Sequence, residues 1–376
     1  MIYLDNAATT RLTEPVLEAM LPYLTSEYAN PSAACGFARG ARAAVERARE
    51  QCAAMLGARP EEIVFTGGGT ESDNWALRSA PLLTGKRHII TTGIEHHAVL
   101  RTCACLEKQG ISVTCLKPDR EGLVSPDAVE RAITADTALV SVMAANNEIG
   151  TIQPIREIGA VCRGREVLFH TDAVQAFGHI PLHVGEMCVD LLSASAHKLH
   201  GPKGVGLLYV RNGIALPPLL TGGGQEAGRR AGTLNTPGIV GFGAAAALAM
   251  EQMNANAAYM TALRDALLRR ILEKLPGTRL NGHPVRRLPG NLNLCFAPVN
   301  ASELLTLLDG RGICVSAGSA CTASSMEPSH VLTAIGLTRT QANGSLRITL
   351  SEETTEAELE IVLQTLTEAV SALSMI

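Results

Sequence analysis

The 376-residue sequence has few aromatic side chains, one Trp, five Tyr and six Phe, and no surplus of basic ones: 32 Lys and Arg stand against 36 Asp and Glu, a net charge of −4. With no basic excess to neutralise a phosphate backbone, nucleic-acid binding is not expected. Long apolar runs are also missing. None reaches the roughly 20 residues that span a bilayer, and the Ala-rich stretch 239–250 is short enough to be a core helix, so no membrane association is expected. Met1-Ile2-Tyr3-Leu4-Asp5 has no basic segment leading into an apolar one, so a secretory leader is not expected and the location predicted is cytoplasmic. The ten cysteines contain no Cys-x-x-Cys pair, which leaves zinc and thioredoxin-like chemistry without support; no metal is expected. Scattered through a long chain, they read as reduced, mostly buried thiols.

Aliphatic surface is plentiful. At 46% hydrophobic and 18% charged, the chain can bury a sizeable core, and its length suits a large domain plus a smaller one. Seven short apolar runs, at 63–66, 88–92, 113–116, 138–143, 167–170, 189–193 and 205–210, read as buried strands. Helical patterns at 42–56, 71–78, 98–109, 126–132 and 155–163 fall between several of them. Such alternation predicts an α/β fold with a mostly parallel sheet covered by helices. Beyond the Ala-rich helix the pattern changes to a long helix at 253–275, strands at 291–296, 313–315 and 346–350, and helices at 301–309 and 355–374. This predicts a smaller α+β domain formed by residues 1–12 and 256–376, beside a large domain of residues 13–255.

Four stretches carry chemistry. In Phe65-Thr66-Gly67-Gly68-Gly69-Thr70-Glu71-Ser72-Asp73-Asn74 a strand ends, glycines let the backbone approach a ligand closely, and a helix begins at Thr70. Its free N–H groups and positive dipole end suit a phosphate; an ordinary Gly-rich turn capped by Thr70 is the alternative. In Phe169-His170-Thr171-Asp172-Ala173-Val174-Gln175 a carboxylate follows a buried strand, where open α/β sheets bind ligands; a helix cap is the alternative. In Ser193-Ala194-Ser195-Ala196-His197-Lys198 a lysine ends another strand, placed to act as an amine nucleophile, where a surface lysine would be the commoner meaning. Together, a phosphate loop, a strand-end carboxylate and a strand-end lysine match the three needs of pyridoxal phosphate. The fourth stretch, Ser316-Ala317-Gly318-Ser319-Ala320-Cys321-Thr322-Ala323-Ser324-Ser325, sets Cys321 among small residues as a candidate nucleophilic thiolate. Ile94-Glu95-His96-His97 adds an imidazole for acid–base work, and Arg347 a guanidinium for bidentate capture of a carboxylate.

With Tyr3-Leu4-Asp5-Asn6-Ala7-Ala8-Thr9-Thr10, Asn30-Pro31-Ser32, Asn146-Asn147-Glu148-Ile149-Gly150 and Gly318-Ser319-Ala320-Cys321-Thr322 added, the sequence closely resembles the cysteine desulfurases of the NifS/IscS type, within the fold-type I, class V aminotransferase superfamily. The resemblance implies pyridoxal 5'-phosphate on Lys198, which also abstracts the substrate's Cα proton. It implies Asp172 at the ring nitrogen, Gln175 at the phenolic oxygen and His96 stacked on the ring. Gly69, Thr70, Ser195 and His197 would hold the phosphate, with Thr233 reaching in from the second subunit of a homodimer. Asn147 would contact cofactor and substrate, Arg347 and Asn30 the carboxylate of L-cysteine. Cys321 would take the sulfur as a persulfide, release L-alanine and pass the sulfur to an acceptor protein, such as an iron–sulfur scaffold, or to thiolation. The sequence departs from the family pattern at Cys35, where a histidine is usual, at Ala227, where an arginine is, and at Ser351, where a glycine is. A selenocysteine lyase or direct C–S lyase is a second reading, and a catalytically idle dimeric binding protein a third.

Overall fold

The structure, a computed structural model, describes residues 1–317 and 327–374. In chain order the elements are β1 (Ile2–Tyr3), α1 (Glu14–Thr25), α2 (Arg39–Leu56), β2 (Ile63–Thr66), α3 (Gly69–Thr84), β3 (His88–Thr92), α4 (His97–Glu107), β4 (Ser112–Leu116), α5 (Pro126–Ala132), β5 (Thr137–Ser141), α6 (Ile155–Gly164), β6 (Leu168–Asp172), β7 (Leu191–Ser195) and β8 (Gly206–Val210). There follow α7 (Thr236–Lys274), β9 (Arg279–Leu280), β10 (Asn291–Cys295), α8 (Ala301–Asp309), β11 (Ile313–Cys314), α9 (His330–Ala334), α10 (Arg339–Asn343), β12 (Ser345–Thr349) and α11 (Glu356–Leu373).

Seven strands form one sheet in the order β2-β8-β7-β6-β5-β3-β4. It is parallel from β4 to β7, and β8 runs antiparallel to both its neighbours. Most of its strands are buried along their whole length, so both faces carry apolar side chains and both need cover. One face packs with α1, α2, α6 and α7 through residues such as Val45, Leu56, Phe169, Phe177 and Phe242. The other packs with α3 and α4 through Trp75, Leu77, Val99 and Leu106. A separate core, containing Leu263, Leu267, Leu294, Leu346 and Leu363, joins the second half of α7 to the β12-β10-β9 sheet, α8 and α11. Leu4 lies in this second core, and β1 pairs with β11.

All seven anticipated strands are present within about two residues of their expected ends. The helix expected to start at Thr70 starts at Gly69, with Gly68 in the capping position, and continues past Pro81. The two helices expected at 239–250 and 253–275 are one 39-residue helix, α7. Its apolar face serves the first core through Ile239, Phe242 and Ala246, then the second through Leu263, Leu267 and Ile271. The stripe lapses between them, which reads as a break, but no Gly or Pro interrupts the backbone there.

Candidate active site

The site lies where parallel strands end, at the C-terminal edge of the sheet. There Ala7, Ala8, Gly69, Thr70, Asp73, His96, Asn147, Asp172, Gln175, Ser195, His197, Lys198 and Arg347 line one cleft, a concave setting of the kind that takes a small molecule. The cleft brings together ten of the positions singled out from the sequence.

Lys198 ends a short turn directly after β7, and its Nζ donates to the carbonyls of Ala7 at 2.6 Å and Ala8 at 2.7 Å. The same N-terminal segment accepts from Gln175 Nε2 at 2.9 Å, through Ala7 O. Thr10 Oγ1 donates to His197 O at 3.0 Å, and Thr9 Oγ1 lies 3.2 Å from His197 Nδ1. The first ten residues are therefore the lid of the lysine's pocket as well as part of the second core.

Asp172 ends β6, opposite Ser193 of β7. Its Oδ1 accepts the Val174 N–H at 2.9 Å. Burial pushes its carboxyl up to about 6, against that hydrogen bond and the nearby Lys198 charge. His96 caps α4, with Nδ1 accepting the Ala98 N–H at 3.2 Å, which leaves the ring proton on Nε2. Burial first, then Lys198, His97, His330 and Arg101, hold this imidazole down to about 4, and it is neutral at physiological pH. His197 is likewise held to about 4 by burial and the adjacent lysines.

At the opposite end of the cleft α3 presents its N-terminus. Gly69 is required there, because a Cβ would lie 2.5 Å from Val174 Cγ2, and Gly68 has φ +148°. The first-turn N–H groups, which have no partner within the helix, and the side chains of Thr70 and Ser195 line this end of the cleft, a setting suited to a phosphate. Glu71 steadies this loop. It accepts the Gly67 N–H at 2.7 Å and a two-point bond from Arg230 at 2.8 and 3.0 Å. Arg347 on β12 is fully buried, donating to Asp5 Oδ1 at 2.7 Å and Asn147 O at 3.0 Å, while its Nε has no hydrogen-bond partner among the described residues. An amine, a carboxylate, a helix N-terminus and a guanidinium with donor capacity in hand thus surround one cleft, an arrangement that fits a phosphorylated pyridine aldehyde and a small amino acid.

Two predicted positions lie elsewhere. Asn30 is exposed and its Oδ1 accepts from Ser32 N in a local turn. Thr233 is exposed before α7. Cys321 lies outside the described residues. Of the nine described cysteines, all free, only Cys52, Cys103, Cys162 and Cys295 are buried, so the expectation of mostly buried thiols holds for fewer than half. Sequence reasoning gave no role to Asp73 although its stretch was singled out, because nothing local showed that this helical acid faces Asp172.

Aminotransferase class-V is the family whose profile matches residues 2–362. The chain belongs to this family. It is 50% identical over 374 residues to a protein of Methanosarcina thermophila named cysteine desulfurase IscS, covering 99% of this chain and 92% of that one. It is 48% identical to the protein of the same name from Dictyoglomus turgidum, covering 100% and 96%. Among solved structures, a NifS-like protein superposes with a TM-score of 0.93 at 41% identity, covering 99% of this chain and all of the other. A structure described as SspA in complex with cysteine superposes at 0.84, also at 41% identity, covering 94% of this chain and all of that one. The anticipated α/β architecture is thus the family's. No helix among the described residues is long and apolar enough to cross a membrane.

Proposed function

We propose that the protein is a pyridoxal phosphate-dependent cysteine desulfurase, which moves sulfur from L-cysteine onto Cys321 and releases L-alanine. The observation that carries this reading is the convergence of Lys198, Asp172 and the α3 N-terminus on one cleft, in a chain about half identical to proteins named cysteine desulfurase. Bound pyridoxal phosphate would supply an electron sink for the carbanion left when a substrate Cα–H bond breaks.

Gly69, Thr70, Ser195 and His197 would hold the phosphate, and Asp172 would pair with the ring N–H. Gln175 would donate to the phenolic oxygen, and the neutral His96, with its proton at Nε2, would lie against the ring. Arg347 and Asn147 would orient the substrate carboxylate, helped by Asn30. Lys198 Nζ would hold the cofactor through its aldehyde and would take the substrate's Cα proton. The Cys321 thiolate then attacks the substrate sulfur, so that an S–S bond forms as the Cβ–S bond breaks. The electron pair stays with the carbon fragment, Cβ takes a proton, Cα regains the one that Lys198 holds, and the product leaves as alanine. An acceptor thiol, such as that of an iron–sulfur scaffold protein, collects the persulfide sulfur. The active form is a cytoplasmic homodimer in which Thr233 reaches the partner's phosphate site. The large domain spans 13–255 and the small one 1–12 with 256–376.

Cys321→Ala tests the reading. The variant should bind the cofactor and change its absorbance with L-cysteine, yet form no protein persulfide. Sulfide release at the native rate would instead indicate a direct C–S lyase, and persulfide formed at the native rate would put the acceptor thiol at another cysteine.

A further inference from the structure

Three acids are buried around the cleft: Asp73 on α3, Glu95 after β3 and Asp172 at the end of β6. A carboxylate oxygen of Asp73, one of Asp172 and a ring nitrogen of His96 all lie within 4.8 Å of one another. The two aspartates are supported unequally. Asp172 has the Val174 N–H and faces Lys198. Asp73 Oδ1 is buried with no hydrogen-bond partner among the described residues. Its neighbours are Ser193 of β7, which hydrogen-bonds its carboxyl, and His170 of β6, with Nε2 at 3.6 Å from Oδ1. That imidazole is already engaged on both sides, at 2.8 Å by Ser141 Oγ and at 3.0 Å by Ser193 Oγ. The remaining charged or titratable groups facing Asp73 are Glu95 and His96, from the turn between β3 and α4, and neither is a cation in the neutral range.

A buried carboxylate oxygen without a donor carries its full desolvation cost, and two carboxylates this close in a dry site do not both stay ionised. We infer that Asp73 is a positioning residue for the cofactor's ring nitrogen: held as the neutral acid beside Asp172, it leaves Asp172 as the single carboxylate that pairs with that nitrogen. Burial and the charge of Asp172 push the Asp73 carboxyl upward, whereas Asp172 rises only to about 6. Burial holds His170 near 3, so it does not act as a counter-ion to Asp73. The buried pair therefore carries one proton, on Asp73, and one charge, on Asp172. Asp73 thereby fills the volume beside Asp172 without adding a second charge.

The inference rests on the proposed position of the ring against Asp172, but its proton can be read without the cofactor. Infrared spectra of the full chain labelled with carboxyl-¹³C aspartate at pH 7 should show a protonated aspartic acid band. It should be present before cofactor loading, absent from Asp73→Asn and retained in Asp172→Asn. No such band in the unmutated protein, or a band that survives Asp73→Asn and vanishes in Asp172→Asn, overturns the inference. A second measurement compares cofactor affinity by absorbance titration. Asp73→Asn, which keeps shape and neutrality, should bind like the unmutated protein, and Asp73→Ala should bind about tenfold more weakly, the equivalent of about 1.4 kcal/mol. Equal losses in both variants would mean that a negative charge at position 73 is what matters, and the inference would fail. Loss of cofactor binding by the unmutated protein would count against the proposed function alone, because the infrared band would still report the proton.

Discussion

His96 shows how one residue's chemistry is set by surroundings that its sequence position does not reveal. Its Nδ1 is committed to the helix cap, so only Nε2–H faces the cleft. Folding lowers its pKa from 6.5 to about 4, which means the unfolded chain binds the extra proton as pH falls. His96 therefore favours the folded state above pH 6.5, and that contribution is lost as pH falls towards 4. Its NMR ring signals should stay constant from pH 8 to about 5.5 and move only below that. The activity profile should accordingly show no acidic limb from His96 near pH 6.5. Replacing it with Ala should lower turnover by about 10²–10⁴-fold, the range for a positioned acid–base group, with the cofactor still bound. Movement of the signals with a midpoint near 6.5 would contradict the buried, neutral assignment.

At the scale of elements, the phosphate end of the cleft depends on β8 as much as on the glycine-rich turn. Gly206, the first residue of β8, pairs with Thr66 on one side and Ser195 on the other. A Cβ there would lie 2.7 Å from Gly68 Cα and 2.6 Å from Ala194 O, both backbone atoms that cannot swing aside. Gly206→Ala should push the turn away from α3's N-terminus. We expect about 1–3 kcal/mol of lost stability, as for other overpacked sites, and weaker cofactor binding. Thermal melting and cofactor titration would measure both, and native affinity would show that the loop adjusts freely. Each departure from the family pattern also has a local place. Ala227 follows Glu226 in a left-handed pair, with φ values of 55° and 50°. Ser351 accepts the Glu353 N–H at 3.3 Å in the turn after β12, and Cys35 is exposed.

Across the whole molecule, the lysine segment is tied to the second core by His200 and Glu352, whose Nε2 and Oε1 are 3.3 Å apart. His200 sits two residues past Lys198 and also contacts Thr10 and Arg11. Burial opposes its charge, but Glu352 raises its pKa above 6.5, while the same pairing lowers Glu352 from 4.5 to about 2. His200's contribution is full below pH 6.5 and is lost as pH rises through its raised folded value. Glu352's is full above pH 4.5 and is lost as pH falls through about 2. The link is therefore strongest between about pH 4.5 and 6.5. Glu352→Gln should cost on the order of 2 kcal/mol at pH 6, between the values for exposed and buried pairs, and much less at pH 9. An equal melting-temperature loss at both values would show that the charge pair contributes nothing.

Local pattern alone determined a great deal. Seven apolar runs gave the strands, because a strand buried on both faces must be apolar along its length. Strand ends marked Asp172 and Lys198, because chemistry in open sheets gathers there. What it did not determine was anything arising between distant segments. The apolar stripe of α7 changes partner midway, so one helix reads as two. Asp73 faces Asp172 from a helix about a hundred positions away, and Ala7 and Ala8 hold Lys198 with backbone carbonyls that no side-chain pattern records. Burial decides charge in this site, and burial exists only once the sheet, its helices and the first ten residues have closed together.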